Sequence, residues 1–216
     1  PSLDRPRPAG RASPDGGRTG STSLALQLCL LVPAIGAAGI VAAGRWPNLR
    51  ESVTLATAIA LFASVLGVLG GLLGGDIPTV ILAEPLPGLP IELRPEPLGA
   101  LFAVLASGLW IVTSVYSIGY MRARKEPHQT RFYLCFAIAL LGAMGVAFAG
   151  NLLTLFIFYE VLTLSTYPLV SHAGTPAALR GARTYLGILL GTSIGLFLPA
   201  IIWTYSIAGT LEFRPG

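Results

Sequence analysis

Six apolar runs constrain this chain more than any other feature: Leu24–Ala43, Val53–Gly74, Leu98–Met121, Phe132–Ala149, Asn151–His172 and Thr184–Ile207. Each holds roughly 18–24 residues, against the ~20 that an α-helix needs to cross a hydrocarbon core of about 30 Å. Inside a bilayer the backbone must bond to itself, which leaves helices or a closed barrel, and runs of this length select helices. The expected fold is therefore an all-α polytopic membrane protein with about six transmembrane helices. Composition agrees: 53% of residues are hydrophobic and 11% charged, where a soluble domain carries about 25% charged.

The segments between the runs divide the chain into three parts. Residues 1–23 are rich in Pro, Gly, Ser and Arg and have little to bury, so a disordered tail is expected. The tail and first run together resemble a signal peptide, but the run exceeds a typical 7–15-residue signal core. Residues 24–97 hold the first two spans and a Pro-rich acidic connection from Asp76 to Pro97, where short extended segments are expected. Residues 98–216 hold the remaining four. Pro33 lies within the first span and is tolerable in a membrane helix. Gly67/Gly71, Gly70/Gly74 and Gly71/Gly75 in the second span have GxxxG spacing, and Gly187, Gly191 and Gly195 repeat it in the sixth. Both patterns predict close helix packing. Only Gly150 and Asn151 separate spans four and five, which predicts a tight helical hairpin. Pro199 removes a helical bond from the Gly195 carbonyl and predicts a bend. The chain begins at Pro1, its methionines are Met121 and Met144, and Gly216 follows closely on the sixth span; a piece of a longer product is expected.

The net charge of +4 is no nucleic-acid signal, because the basic residues sit in the tail and in the loops. Loops after spans one, three and five carry Arg45, Arg50, Arg122, Arg124, Lys125, Arg131, Arg180 and Arg183. The positive-inside rule puts these loops in the cytoplasm and the N-terminus outside, in the cell (inner) membrane. The tail's Arg5, Arg7, Arg11 and Arg18 argue the other way. Cys29 and Cys135 lie in separate apolar runs and read as small buried side chains, with no metal or disulfide pattern.

Glu160, near the middle of NLLTLFIFYEVLTLSTYPLVSH, is the residue that most demands a function. A carboxylate at that depth costs roughly 2.5–3.5 kcal/mol on insertion scales, so it needs a partner, a cavity or a proton. The competing reading is a neutral carboxyl serving as packing glue. Helical spacing places Phe156, Thr163, Leu164 and Tyr167 on its face. Thr163, Tyr167 and His172 form a possible proton path with it, although the first two also suit plain packing. His172, at the end of the span, suits either a relay or a cap on the last carbonyls. Arg183, at the start of the sixth span, is either an electrostatic modulator of Glu160 or a headgroup anchor.

Three stretches carry a resemblance. YSIGYM at the end of the third span, RFYLCFAIALLGAMGVAFAGNLLTLFIFYEVLTLSTYPLVSH and GTPAALRGARTYLGILLGTS resemble the proton-conducting antiporter-like subunits of complex I and Mrp-type cation/proton antiporters. TYPLVSHAGTP leans toward the Mrp D-like branch. The resemblance implies the N-terminal part of a fold of about fourteen helices built on inverted repeats. It also implies that Glu160, by its FYE context, is the fifth-helix glutamate that pairs with a seventh-helix lysine. This chain has no lysine after Lys125.

The expected function is a proton-translocating subunit, or a piece of one, in a multisubunit cation/proton antiporter or NADH-quinone oxidoreductase-like complex, with Glu160 as proton carrier. Its partners are the bilayer, other membrane subunits, protons and Na+ as a candidate exchanged ion. The alternative is a non-transporting scaffold docking other subunits through its Gly-rich faces. A dimerising half of an unrelated small-solute transporter is a weaker third reading, because it needs more than one carboxyl at midplane. No GxGxxG follows a strand and no redox-ligand cluster is present, so no cofactor or catalytic site is assigned.

Overall fold

The computed structural model describes residues 16–213. In chain order the elements are α1 (Gly16–Ala42), α2 (Pro47–Leu73), β1 (Val80–Leu86), β2 (Leu89–Leu93), α3 (Pro97–Arg124), α4 (Gln129–Ala147), α5 (Leu152–Val170), α6 (Pro176–Thr192), a π-helical segment (Ser193–Phe197) and α7 (Leu198–Ala208). The last three run on as one span, giving six helices long and apolar enough to cross a membrane. The six-span expectation therefore holds.

Helix starts follow local chemistry. Pro47, Pro97 and Pro176 open α2, α3 and α6, where the missing N–H is one that a first turn leaves unbonded anyway. Asn151 and Thr175 cap α5 and α6, accepting from the Thr154 N–H at 2.8 Å and the Ala178 N–H at 3.1 Å. Two boundaries correct the sequence reading. The tail was expected to be disordered through residue 23, yet α1 begins at Gly16, and Thr22 is buried against α2. Residues 1–15 lie outside the described residues. The sixth span begins at Pro176 rather than near Thr184, because its first turns are polar and escape a hydropathy reading.

The Pro-rich connection is an antiparallel hairpin, pairing Val80 with Leu93 and Ile81 with Glu92 and turning at Gly88, whose φ is +80°. A two-stranded ribbon consists of edges only, which is why Pro85, Pro87 and Pro90 are accommodated. The hairpin closes one end of the helix bundle. Gly150 N–H donates to the Glu92 carbonyl at 3.0 Å, Glu92 N–H donates to Thr154 Oγ1 at 2.9 Å, and Asn151 Nδ2 donates to the Pro90 carbonyl at 2.7 Å. Leu152 N–H donates to the Leu211 carbonyl at 3.0 Å, tying the far end of the chain to the same place.

The expected α4–α5 hairpin is present. A Cβ on Gly145 would stand 2.1 Å from Phe158, and one on Gly142 would stand 2.9 Å from the Leu162 backbone. Of the α2 glycines, Gly71 abuts Thr22 and Gly67 abuts Ala25 on α1, while Gly70 and Gly75 meet nothing within 4 Å. Gly187, Gly191 and Gly195 likewise meet nothing within 4 Å, so their expected packing face is unused within the described residues. The α6–α7 span lies against α5 and turns Ile188, Leu196, Ile202, Trp203 and Ile207 outward.

Gly145→Ala is expected to lower thermal stability in detergent or bicelles by about 1–3 kcal/mol through overpacking on Phe158. Gly187→Ala, on the open face, is expected to be neutral or to stabilise by roughly 0.5–1 kcal/mol. Equal effects of the two substitutions would contradict the packing described.

Candidate functional site

Glu160 lies at the middle of α5, held by the tight packing of that helix on α4. Its Oε1 is fully buried and receives no hydrogen bond among the described residues. Phe156 and Tyr159 flank it, and both meet Phe197 edge-on, at centroid distances of 5.7 and 6.2 Å. Phe197 belongs to the π-helical segment, which lies beside Glu160's turn of α5 and lines a shallow recess with Tyr159, Thr192 and Ser193. Widened turns of this kind are rare and gather at functional sites. Pro199 signalled an irregularity here, and the structure places it one turn earlier, as a widened turn within a continuous span.

The other sequence candidates fall as follows. Thr163 is buried and Tyr167 half-buried on the turns following Glu160. Next to Tyr167, Thr166 Oγ1 lies 3.5 Å from the Tyr185 hydroxyl, a polar contact from α5 to α6. His172 sits in the turn after α5, its ring edge-on to Phe132 at 5.6 Å, with neither ring nitrogen hydrogen-bonded among the described residues. Among the described residues the imidazole bonds no helix-terminal carbonyl, so the side chain does not act as a cap there, although the His172 backbone N–H donates to the Leu169 carbonyl at 3.2 Å. Burial and then the charge of Arg131 hold its pKa below the ordinary value; Glu126 opposes them and His128 adds a little to the lowering. Arg183 is exposed and two turns inside α6 rather than at its start, with no ion pair among the described residues.

A second polar cluster was missed by the sequence reading. Glu51 and Arg50, adjacent on α2, are each only 5% exposed. Arg122 of α3 holds the Glu51 carboxylate with two bonds, Nε to Oε1 at 3.0 Å and Nη2 to Oε2, and also bonds Asn48. Arg50 donates to Gln129 Oε1 at 2.7 Å and Thr130 Oγ1 at 3.2 Å on α4, lies over the Tyr133 ring at 5.4 Å, and stands 3.8 Å from Glu51. Fork-shaped guanidinium–carboxylate bonding explains why arginine serves here. Basic residues near helix ends read as topology markers, and nothing in their spacing announces that three helices converge on them.

With the geometry in hand, the class is a polytopic helical membrane protein with one orphaned carboxylate at mid-helix and a clasp of charges at one end. Comparison with known proteins narrows that class. Residues 149–215 match the family described as NADH:quinone oxidoreductase/Mrp antiporter, TM. The chain is 30% identical over 123 residues to NADH-quinone oxidoreductase subunit N of Desulforudis audaxviator, covering 56% of this chain and 24% of that protein. It is 30% identical over 122 residues to the D-type subunit of a Na(+)/H(+) antiporter of Alkalihalophilus pseudofirmus, covering 56% and 24%. It thus spans about a quarter of the length of these curated relatives. Among solved structures it resembles a chain of the membrane-bound sulfane sulfur reductase, an archaeal respiratory membrane complex, with a TM-score of 0.74 and 21% identity over 87% of this chain and 38% of that one. It also resembles a chain of the Mrp complex from Dietzia sp., with a TM-score of 0.70 and 22% identity over 88% and 36%. The resemblance read from the sequence stands: over the matched stretches this chain is similar to antiporter-like membrane subunits of the Mrp and NADH-quinone oxidoreductase type.

Two outcomes test this geometry. Arg122→Ala leaves the buried Glu51 short of its main partner and is expected to lower the melting temperature; adding Glu51→Gln should recover part of that loss. Because the folded state disfavours protonated His172, it binds fewer protons than the unfolded chain. Stability should therefore fall as pH drops below about 6.5, and His172→Gln should flatten that slope in a thermal-melt series. An unchanged slope would contradict the assigned environment.

Proposed function

We propose that this chain translocates protons as part of an antiporter-like membrane subunit, and that Glu160 takes up and releases the proton. The observation that carries the reading is the buried Oε1 at mid-helix with no donor among the described residues. A structural carboxyl gains most from being bonded, whereas a carrier has to be free to change state. Moving a cation toward or away from such a group changes its affinity for a proton.

The path proposed from Glu160 follows Thr163 and Tyr167 toward His172, whose unbonded ring nitrogens can accept and pass a proton. The relatives' names as NADH-quinone oxidoreductase and Na(+)/H(+) antiporter subunits support a multisubunit assembly, with Na+ a candidate coupled ion. The loop arginines support an inner-membrane orientation with the N-terminus outside. Arg183, exposed on α6, serves as a headgroup anchor in this scheme.

A scaffold role is the second reading, favoured by the open glycine face and outward apolar side chains of α6–α7. Glu160→Gln distinguishes them. In membrane vesicles carrying the assembled complex, the carrier reading predicts normal assembly with proton movement at the level of vesicles lacking the chain, read by a pH-sensitive dye. Assembly with undiminished proton movement would establish the scaffold instead.

A further inference from the structure

Besides the His172 ring nitrogens, four buried polar atoms away from Glu160 have no hydrogen-bond partner among the described residues: Arg50 Nε on α2, Trp110 Nε1 and Ser114 Oγ on α3, and on α4 the Tyr133 hydroxyl, which the Ser117 side chain approaches. Their residues are 5%, 1%, 0% and 0% exposed, respectively. Arg Nε–H and Trp Nε1–H can only donate and the two hydroxyls can do either, yet neither N–H donor meets a protein acceptor among the described residues.

These atoms form a row. Trp110, Ser114 and Ser117 are spaced i, i+4, i+7 and share one face of α3. Across from them on α4, Phe136 meets the Trp110 ring edge-on at 6.2 Å. Tyr133, one turn nearer the charged end, lies beneath the Arg50 guanidinium. The row therefore runs from the Arg50–Glu51–Arg122 cluster to Trp110 at the midpoint of α3, about 18 Å at 1.5 Å per residue. Ala58 on α2 and Ala137 on α4, both fully buried in the same core, add small side chains near it.

Buried donors that lack a protein acceptor are paired in native proteins with ordered water, and bridging water bonds almost as well as a direct partner. We propose that α2, α3 and α4 enclose a file of ordered water that enters at the Arg50–Glu51–Arg122 cluster and ends at Trp110. Water oxygens accept from Arg50, Tyr133, Ser114 and Trp110 in turn. A single trapped anion does not fit, because one ion cannot touch both ends of a row this long. The file gives the aqueous phase access to the bundle interior along helices other than the one that carries Glu160.

Hydroxyl-radical footprinting by X-ray radiolysis tests this on the full chain in lipid nanodiscs, since radicals form where water resides. Trp110 and Tyr133 are expected to be oxidised rapidly despite their burial, while Met144 and Phe148, equally buried, are spared. Ser114→Val is expected to cut Trp110 labelling several-fold while leaving Tyr133 labelled. If the variant misfolds, Met144 and Phe148 become labelled, and the wild-type contrast alone decides. Replacing chloride by gluconate is expected to change nothing. Labelling of Trp110 and Tyr133 no faster than Met144 overturns the proposal, as does a dependence on chloride, which would make the occupant an anion.

Discussion

Every polar group in the six spans has to be satisfied without help from the surrounding lipid, and this constraint shapes the rest of the molecule. Backbone groups meet it by staying helical through Pro33 and Pro168. Where the chain leaves the helix at the hairpin end, the backbone bonds made by Glu92, Asn151 and Leu152 close it again. At the opposite end the Arg50–Glu51–Arg122 cluster does the same for charge, joining α2, α3 and α4 through fork-shaped and cation–π contacts. The bare Oε1 of Glu160 is an exception to this rule among the described residues, as are the unpartnered atoms of Arg50, Trp110, Ser114, Tyr133 and His172.

Packing gives that exception its setting. Gly142 and Gly145 let α4 and α5 approach so closely that the backbone around Glu160 has little freedom. The other flank of α5 is looser. The π-helical segment widens one turn of the adjoining span, and Phe197 meets Phe156 and Tyr159 there. A carboxylate between one rigid and one irregular neighbour can keep its position while its surroundings change. That arrangement suits a group that must exchange a proton without unfolding its helix.

Much of this was legible in the sequence, for reasons that can be named. Hydropathy and length located all six spans because a bilayer imposes a fixed thickness. The two-residue Gly150–Asn151 link announced the α4–α5 hairpin, and Glu160 stood out as a lone carboxyl in an apolar run. The Arg50–Glu51–Arg122 cluster was hidden, because near helix ends a charge that pairs inward and one that faces headgroups look alike in sequence. The start of α6 was hidden by its polar first turns. GxxxG spacing overstated packing: Gly71 has Thr22 against it, whereas Gly191 faces open space. Spacing reports what a helix permits, and the partner decides whether it is used.

The central claim is that Glu160 changes protonation state inside the membrane. Infrared difference spectroscopy on the membrane-embedded assembly, stepped in pH, addresses it directly through the carboxyl C=O stretch. A proton carrier at this position gives a band that appears and disappears reversibly with pH, shifts in D2O and is missing from Glu160→Gln. A carboxyl signal assigned to Glu160 that stays constant across the whole pH range would contradict it.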